Sequence, residues 1–152
     1  WMEARTEVRA LSASGLTWLD DDAPPGEVVH RWRANDALAT RRIDRDGNGV
    51  PETVWFHALD GTLTAAWFDD DQNGIPERRV RYGPGGRAVA TAFDADQNDV
   101  PERREEARGD VTVCFLDADQ DGRTERIEER RRDGTLVRAW EWTPDAGFRA
   151  VQ

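Results

Sequence analysis

A single cysteine, Cys114, is all the sequence holds, which excludes an internal disulfide framework. It lies in the strand-like run VTVCFL and reads as a small apolar packing residue. No apolar run approaches the ~20 residues that a membrane-spanning helix needs, so no such span is expected. The only histidines, His30 and His57, lack metal-ligand spacing and read as surface residues. No Ser-His-Asp, Cys-His or zinc pattern emerges, and no glycine-rich phosphate loop follows a strand, so catalysis is not expected. Basic residues number 21 against 31 acidic ones, a net charge of −10, with an isoelectric point near 4.7. Phosphate binding needs a concentrated basic surface, and arginine here is interleaved with glutamate, so nucleic acid is excluded as a partner. Hydrophobic residues make up 38% against 34% charged, too few for a thick core and close to the composition of chains that stay disordered.

What the chain has in quantity is one acidic ten-mer. It reads IDRDGNGVPE from Ile43, FDDDQNGIPE from Phe68, FDADQNDVPE from Phe93 and LDADQDGRTE from Leu116. The leading aspartates are spaced by 25, 25 and 23 residues, a period that marks a tandem array of small supersecondary units. With each aspartate as loop position one, oxygen side chains fall at positions one, three, five and nine. These are Asp44, Asp46, Asn48 and Glu52; Asp69, Asp71, Asn73 and Glu77; Asp94, Asp96, Asn98 and Glu102; and Asp117, Asp119, Asp121 and Glu125. The carbonyls of position seven, Val50, Ile75, Val100 and Arg123, can add a further oxygen. Alternate residues of a tightly curled loop point inward, and six to eight oxygens at roughly 2.3–2.6 Å suit calcium, whereas magnesium demands a stiffer octahedron. Gly74 at position six meets the need for a sharp turn at positive φ. Asp99 takes that place in the third copy, where a weaker site is expected. Three to four calcium ions are expected in all, adding positive charge to a chain that repels itself without them, so that the metal-free chain should be loose.

The motif resembles the D-x-D-x-[DN]-G calcium loops of EF-hands, dockerins, thrombospondin type 3 repeats and integrin-type propellers. A true EF-hand needs a glutamate at position twelve, and that position holds Trp55, Val80, Glu105 and Glu128. The acidic residue at position nine is similar to the strand-loop-strand variety. Alternation with Asp-Gly turns looks most like the aspartate-rich β-repeats of secreted and surface bacterial proteins. The resemblance covers roughly residues 17–143 and implies the metal, not a defined activity.

The segments after position nine, ETVWFHAL, ERRVRY, ERREEAR and ERIEERR, read as strands, although the last two are polar enough for helix to compete. Turn signals follow at Asp60-Gly61, Pro84-Gly85-Gly86, Arg108-Gly109-Asp110 and Asp133-Gly134, and TLTAAWF, AVATAF, VTVCFL and TLVRAWEW return. The expected fold is all-β, with ~25-residue repeats forming an antiparallel β-meander or a β-solenoid-like sheet and calcium loops between hairpins. One repeat domain is expected over 1–152: N-terminal strands and a degenerate capping repeat over 1–42, calcium-loop repeats over 43–67, 68–92, 93–115 and 116–143, and a tail over 144–152. The capping repeat follows from Asp20, 24 residues before Asp44, with Pro24 and Pro25 at positions five and six in place of a ligand and the turn glycine. The apolar stripes expected on the returning strands are Leu63, Ala65 and Trp67; Ala88, Ala90 and Ala92; Val111, Val113 and Phe115; and Leu136, Arg138 and Trp140.

Seven tryptophans read chiefly as fillers of a thin core, with Trp140 and Trp142 as interface candidates. Free sheet edges invite another chain. The expected role is a structural or assembly element, such as a fibre, matrix or accessory subunit of a surface complex, with other copies of itself or subunits of a larger extracellular assembly as partners. A calcium-dependent module binding carbohydrate or protein, and a rigid spacer of a longer polypeptide, are the alternatives. A start at Trp1 rather than Met suggests a processed or truncated precursor. Millimolar calcium, the range used by extracellular modules, points to an extracellular, cell-surface or periplasmic location.

Overall fold

The computed structural model describes residues 16–20, 28–34 and 37–151, with side chains from Thr40 onward. The strand expected within residues 1–16, apart from Leu16, and the loop with Pro24 and Pro25 lie outside the described residues. Two compact units divide the chain, one reaching Pro76 and including Tyr82–Arg87, the other made of Glu77–Arg81 and the chain from Ala88.

In the first unit the strands are β1 (Leu16–Asp20), β2 (Val28–Ala34), β3 (Ala37–Asp44), β4 (Thr53–His57) and β5 (Leu63–Phe68). The second contains most of β6 (Arg78–Tyr82), then β7 (Ala88–Phe93), β8 (Arg103–Arg108), β9 (Val111–Leu116), β10 (Arg126–Arg131), β11 (Leu136–Thr143) and β12 (Gly147–Val151). Strand order follows chain order in each unit. The pairs β1–β2 through β4–β5 and β7–β8 through β11–β12 are antiparallel. The fold is therefore an all-β antiparallel meander, the first of the two architectures expected. Polar β8 and β10 are strands despite their helix-compatible composition, because Glu106 and Glu129 each pair in register with Val113 of the β-branched strand β9.

The hairpin turns use local chemistry. Gly61 takes φ 82°, its N–H donates to Ala58 O at 2.9 Å, and Asp60 Oδ1 accepts from Thr62 N at 2.9 Å. Asp133 and Thr135 repeat the last contact at 2.9 Å. Such Asp-to-backbone bonds hold the reversal through contacts two residues apart.

The predicted apolar stripes on β5 and β11 are corrected, while on β9 the predicted Val113 is buried with Cys114 beside it. On β5 the buried residue is Ala66, at 0% exposure, while Trp67 stands 43% exposed. On β11 it is Ala139, with Leu136 and Arg138 exposed and Trp140 half-buried. A small side chain is covered by longer neighbours on the flanking strands: Ala66 opposes Trp55, and Cys114 opposes Glu105 and Glu128. Burial and the Glu105 carboxylate push the Cys114 thiol's pKa up, against the opposing pull of Arg103, so it packs as an uncharged side chain. His57 is half-buried rather than at the surface, and burial together with Arg41 lowers its pKa. A tail is predicted over 144–152, but β12 occupies most of it: Gly147 at φ 68° turns the chain so that Phe148 meets Trp142.

Candidate metal centres

The four acidic ten-mers fall between strands: 43–52 between β3 and β4, 68–77 between β5 and β6, 93–102 between β7 and β8, and 116–125 between β9 and β10. Their first aspartates, Asp44, Asp69, Asp94 and Asp117, are all buried, at 2–6% exposure. Four buried carboxylates in so polar a chain need donors or a cation, because an unsatisfied buried charge is costly.

Backbone donors meet most of that need. Asp44 accepts from Gly47 N and Gly49 N, both at 2.8 Å. Asp69 accepts from Asn73 N at 3.1 Å and Gly74 N at 2.8 Å, and Asp94 from Asn98 N at 3.1 Å and Asp99 N at 3.2 Å. In the fourth loop Gly122 N reaches Asp117 Oδ2 at 3.1 Å. Asp117 Oδ1 is buried with no hydrogen-bond partner.

Around Asp117, the carboxylates of Asp119, Asp121 and Glu125 gather with ligand oxygens within 4.8 Å of one another. Asp69 and Asp71 come equally close in the second loop. Among the described residues, no grouping of three acidic side chains of this kind occurs in the first or third loop. In the third, Arg79 pairs with Asp99 at 2.8 Å and comes within 3.8 Å of Asp94, so a cation there competes with a guanidinium. Asp99 stands in the left-handed region at φ 69°, as its place in the glycine position requires.

The remaining expected ligands shape the loops. Position-five oxygens of Asn48, Asn73, Asn98 and Asp121 accept the N–H of Val50, Ile75, Val100 and Arg123 at 2.7–2.8 Å. Asp46, Asp71, Asp96 and Asp119 accept the position-five N–H at 3.1–3.4 Å. Position-nine carboxylates close the loops by taking a position-two N–H: Arg45 to Glu52 at 2.9 Å, Ala95 to Glu102 at 2.9 Å and Ala118 to Glu125 at 2.8 Å. Burial raises the Glu102 pKa, but the Ala95 N–H and further donors outweigh it and hold the carboxyl below its usual range. A carboxylate has about four lone-pair sites, so these bonds leave oxygens able to bind a cation. The donor set of the fourth loop, all hard oxygen with one buried acceptor unfilled, fits a calcium-type ion.

No family model and no curated protein matches the sequence. A solved structure of accessory secretory protein 1, 2 and 3 in Streptococcus pneumoniae is similar at a TM-score of 0.48 and 11% identity, over 67% of this chain and 19% of that one.

Position twelve bears on the EF-hand alternative: Glu105 and Glu128 sit within β8 and β10, opposite Cys114. The fourth loop position also carries a recurring side chain. Gln72, Gln97 and Gln120 occupy it in three copies, and the recurrence was the available signal. Trp142 is 41% exposed beside Phe148 at 43%, whereas Trp140 is half-buried with the Arg138 guanidinium 5.9 Å from its ring centroid.

Proposed function

We propose that this chain is a calcium-binding β-repeat protein, acting outside the cytoplasm as a structural or assembly element rather than as an enzyme. The observation that carries the metal reading is Asp117 Oδ1, a buried carboxylate oxygen without a donor inside a set of four carboxylates. A hard divalent cation would satisfy that oxygen and relieve the repulsion around it. Positions one, three, five, seven and nine of each loop make up the proposed ligand sets, with three to four ions per chain. Assembly is supported by the open antiparallel meander, in which each strand pairs only with its neighbours in the chain, an architecture that another strand can extend. A second reading, a calcium-dependent module for carbohydrate or protein, is favoured by the exposed Trp142–Phe148 pair.

Circular dichroism and light scattering on one sample, first in EDTA and then in millimolar calcium, test the proposal. A gain of β signal with growing particle size is the expected result. A gain in a chain that stays monomeric would shift the function to the binding module or to a spacer. No response in either signal would leave the loops as ordinary turns.

A further inference from the structure

Gln72, Gln97 and Gln120 each occupy the left-handed region, at φ 57°, 60° and 57°. Asn and Asp reach it with help from short side chains that bond their own backbone, and glutamine lacks that help. A residue kept in a disfavoured conformation is held there by its surroundings. Here the side-chain amide reaches the preceding ten-mer. Gln72 Nε2 donates to Glu52 Oε1 at 3.2 Å, while its carbonyl accepts from Asn48 Nδ2. Gln97 Nε2 donates to Glu77 Oε1 at 3.0 Å. Gln120 hydrogen-bonds Glu102 and accepts from Asn98 Nδ2. Each glutamine therefore belongs to one loop by its backbone and touches ligand positions of the loop before it by its side chain.

We propose that these position-four glutamines are positioning residues that couple neighbouring loops, so that an ion bound in one raises the affinity of the preceding loop. The inference rests on the calcium reading above. A bound ion fixes the loop that carries the glutamine. The fixed amide then holds the preceding loop's glutamate carboxylate and asparagine in their ligating orientation. Groups that orient metal ligands from behind typically change affinity by roughly 10–100-fold, and such coupling is reciprocal. The third and fourth loops are the place to test it, because the buried, donor-free Asp117 Oδ1 lies in the fourth and Gln120 joins it to Glu102 and Asn98.

The experiment is a calorimetric calcium titration of the full chain and three variants. Gln120→Gly removes the amide while accepting positive φ without strain. It should leave the number of ions unchanged, weaken one site roughly tenfold and flatten the binding curve. Asp119→Ala should remove one ion and weaken the third loop by a similar factor. Adding Gln120→Gly to it should then bring no further loss, since the two changes cut the same link. If Gln120→Gly does not fold, Gln120→Asn tolerates positive φ with a side chain one methylene too short to bridge to the preceding loop, and should give the same weakening. Unchanged affinity and steepness in a calcium-binding chain would overturn the coupling alone, as would additive losses. Absence of any calcium heat in the unaltered chain would overturn the proposed function and the coupling together.

Discussion

Asp117 lacks the Oδ1 hydrogen bond that Asp44, Asp69 and Asp94 each make. Each of those three has a backbone N–H on Oδ1 and another on Oδ2, while Asp117 has a donor on Oδ2 only. Asp117→Asn keeps the shape and removes the charge, so its effect on stability should reverse with conditions. In calcium at about 100 times the dissociation constant, losing one ion costs about 2.7 kcal/mol. In EDTA the same variant should be as stable as the parent or more so, because one carboxylate leaves a crowded cluster. Paired denaturation curves with and without calcium measure both signs, and equal destabilisation in both would show that the carboxylate serves only the turn.

At the scale of the strand, β10 shows how a polar element enters a sheet. Glu128 is buried at 7% exposure, bonded by Arg126 Nε at 2.7 Å and Arg130 Nε at 2.8 Å. Arg126 and Arg130 lie two residues to either side of it and so share its face of the strand. Across to β11, Arg126 meets Glu141 at 2.6 Å and Glu129 meets Arg138 at 3.0 Å, both directly opposed in register. Charge complementarity thus substitutes for apolar area between these strands. Burial works to raise the Glu128 pKa, but the Arg130 and Arg126 hydrogen bonds outweigh it and hold the carboxyl below the usual glutamate range. A depressed folded pKa contributes stability above the unfolded value of about 4.3, and that contribution is lost as pH falls through the folded pKa. Urea titrations in EDTA should therefore show stability falling in acid below about pH 4.3, with a shallower fall for Glu128→Gln. Identical acid limbs would mean that the arginines do not select the ionised form.

Across the whole molecule the buried residues tell against a conventional core. Among the described residues the buried hydrophobic side chains are Ile43, Ala66, Val80, Val113, Cys114 and Ala139, and the buried acidic ones are Asp44, Asp69, Asp94, Asp117 and Glu128. Nearly half of this interior is carboxylate, so stability should depend on what neutralises it. In excess calcium the thermal midpoint should rise by about 5–10 °C for each occupied site, from about 2.7 kcal/mol per ion and roughly 2–4 °C per kcal/mol at this chain length. Magnesium at the same concentration should give less, since these loops supply flexible ligands rather than a rigid octahedron. Scanning calorimetry in calcium, magnesium and sodium of matched ionic strength distinguishes a specific ion from screening, and equal midpoints in all three would remove calcium from the account.

Local chemistry made part of this protein legible in the sequence. Asp-Gly reversals such as Asp60-Gly61, the glycine at position six and the alternation of loop with strand depend on residues within a few positions of one another, and the structure has all of them. The buried row of each strand depended on something else. Ala66 and Cys114 are covered because register sets them opposite Trp55, Glu105 and Glu128, and a single strand's pattern does not contain its neighbours. The glutamine contacts span 20 to 24 residues, and β12 exists because a turn at Gly147 sets Phe148 against Trp142. Sequence determined which oxygen side chains each loop carries. Pairing across strands, which brings residues distant in the chain within hydrogen-bonding reach, decided which carboxylate is left without a donor and which loops touch.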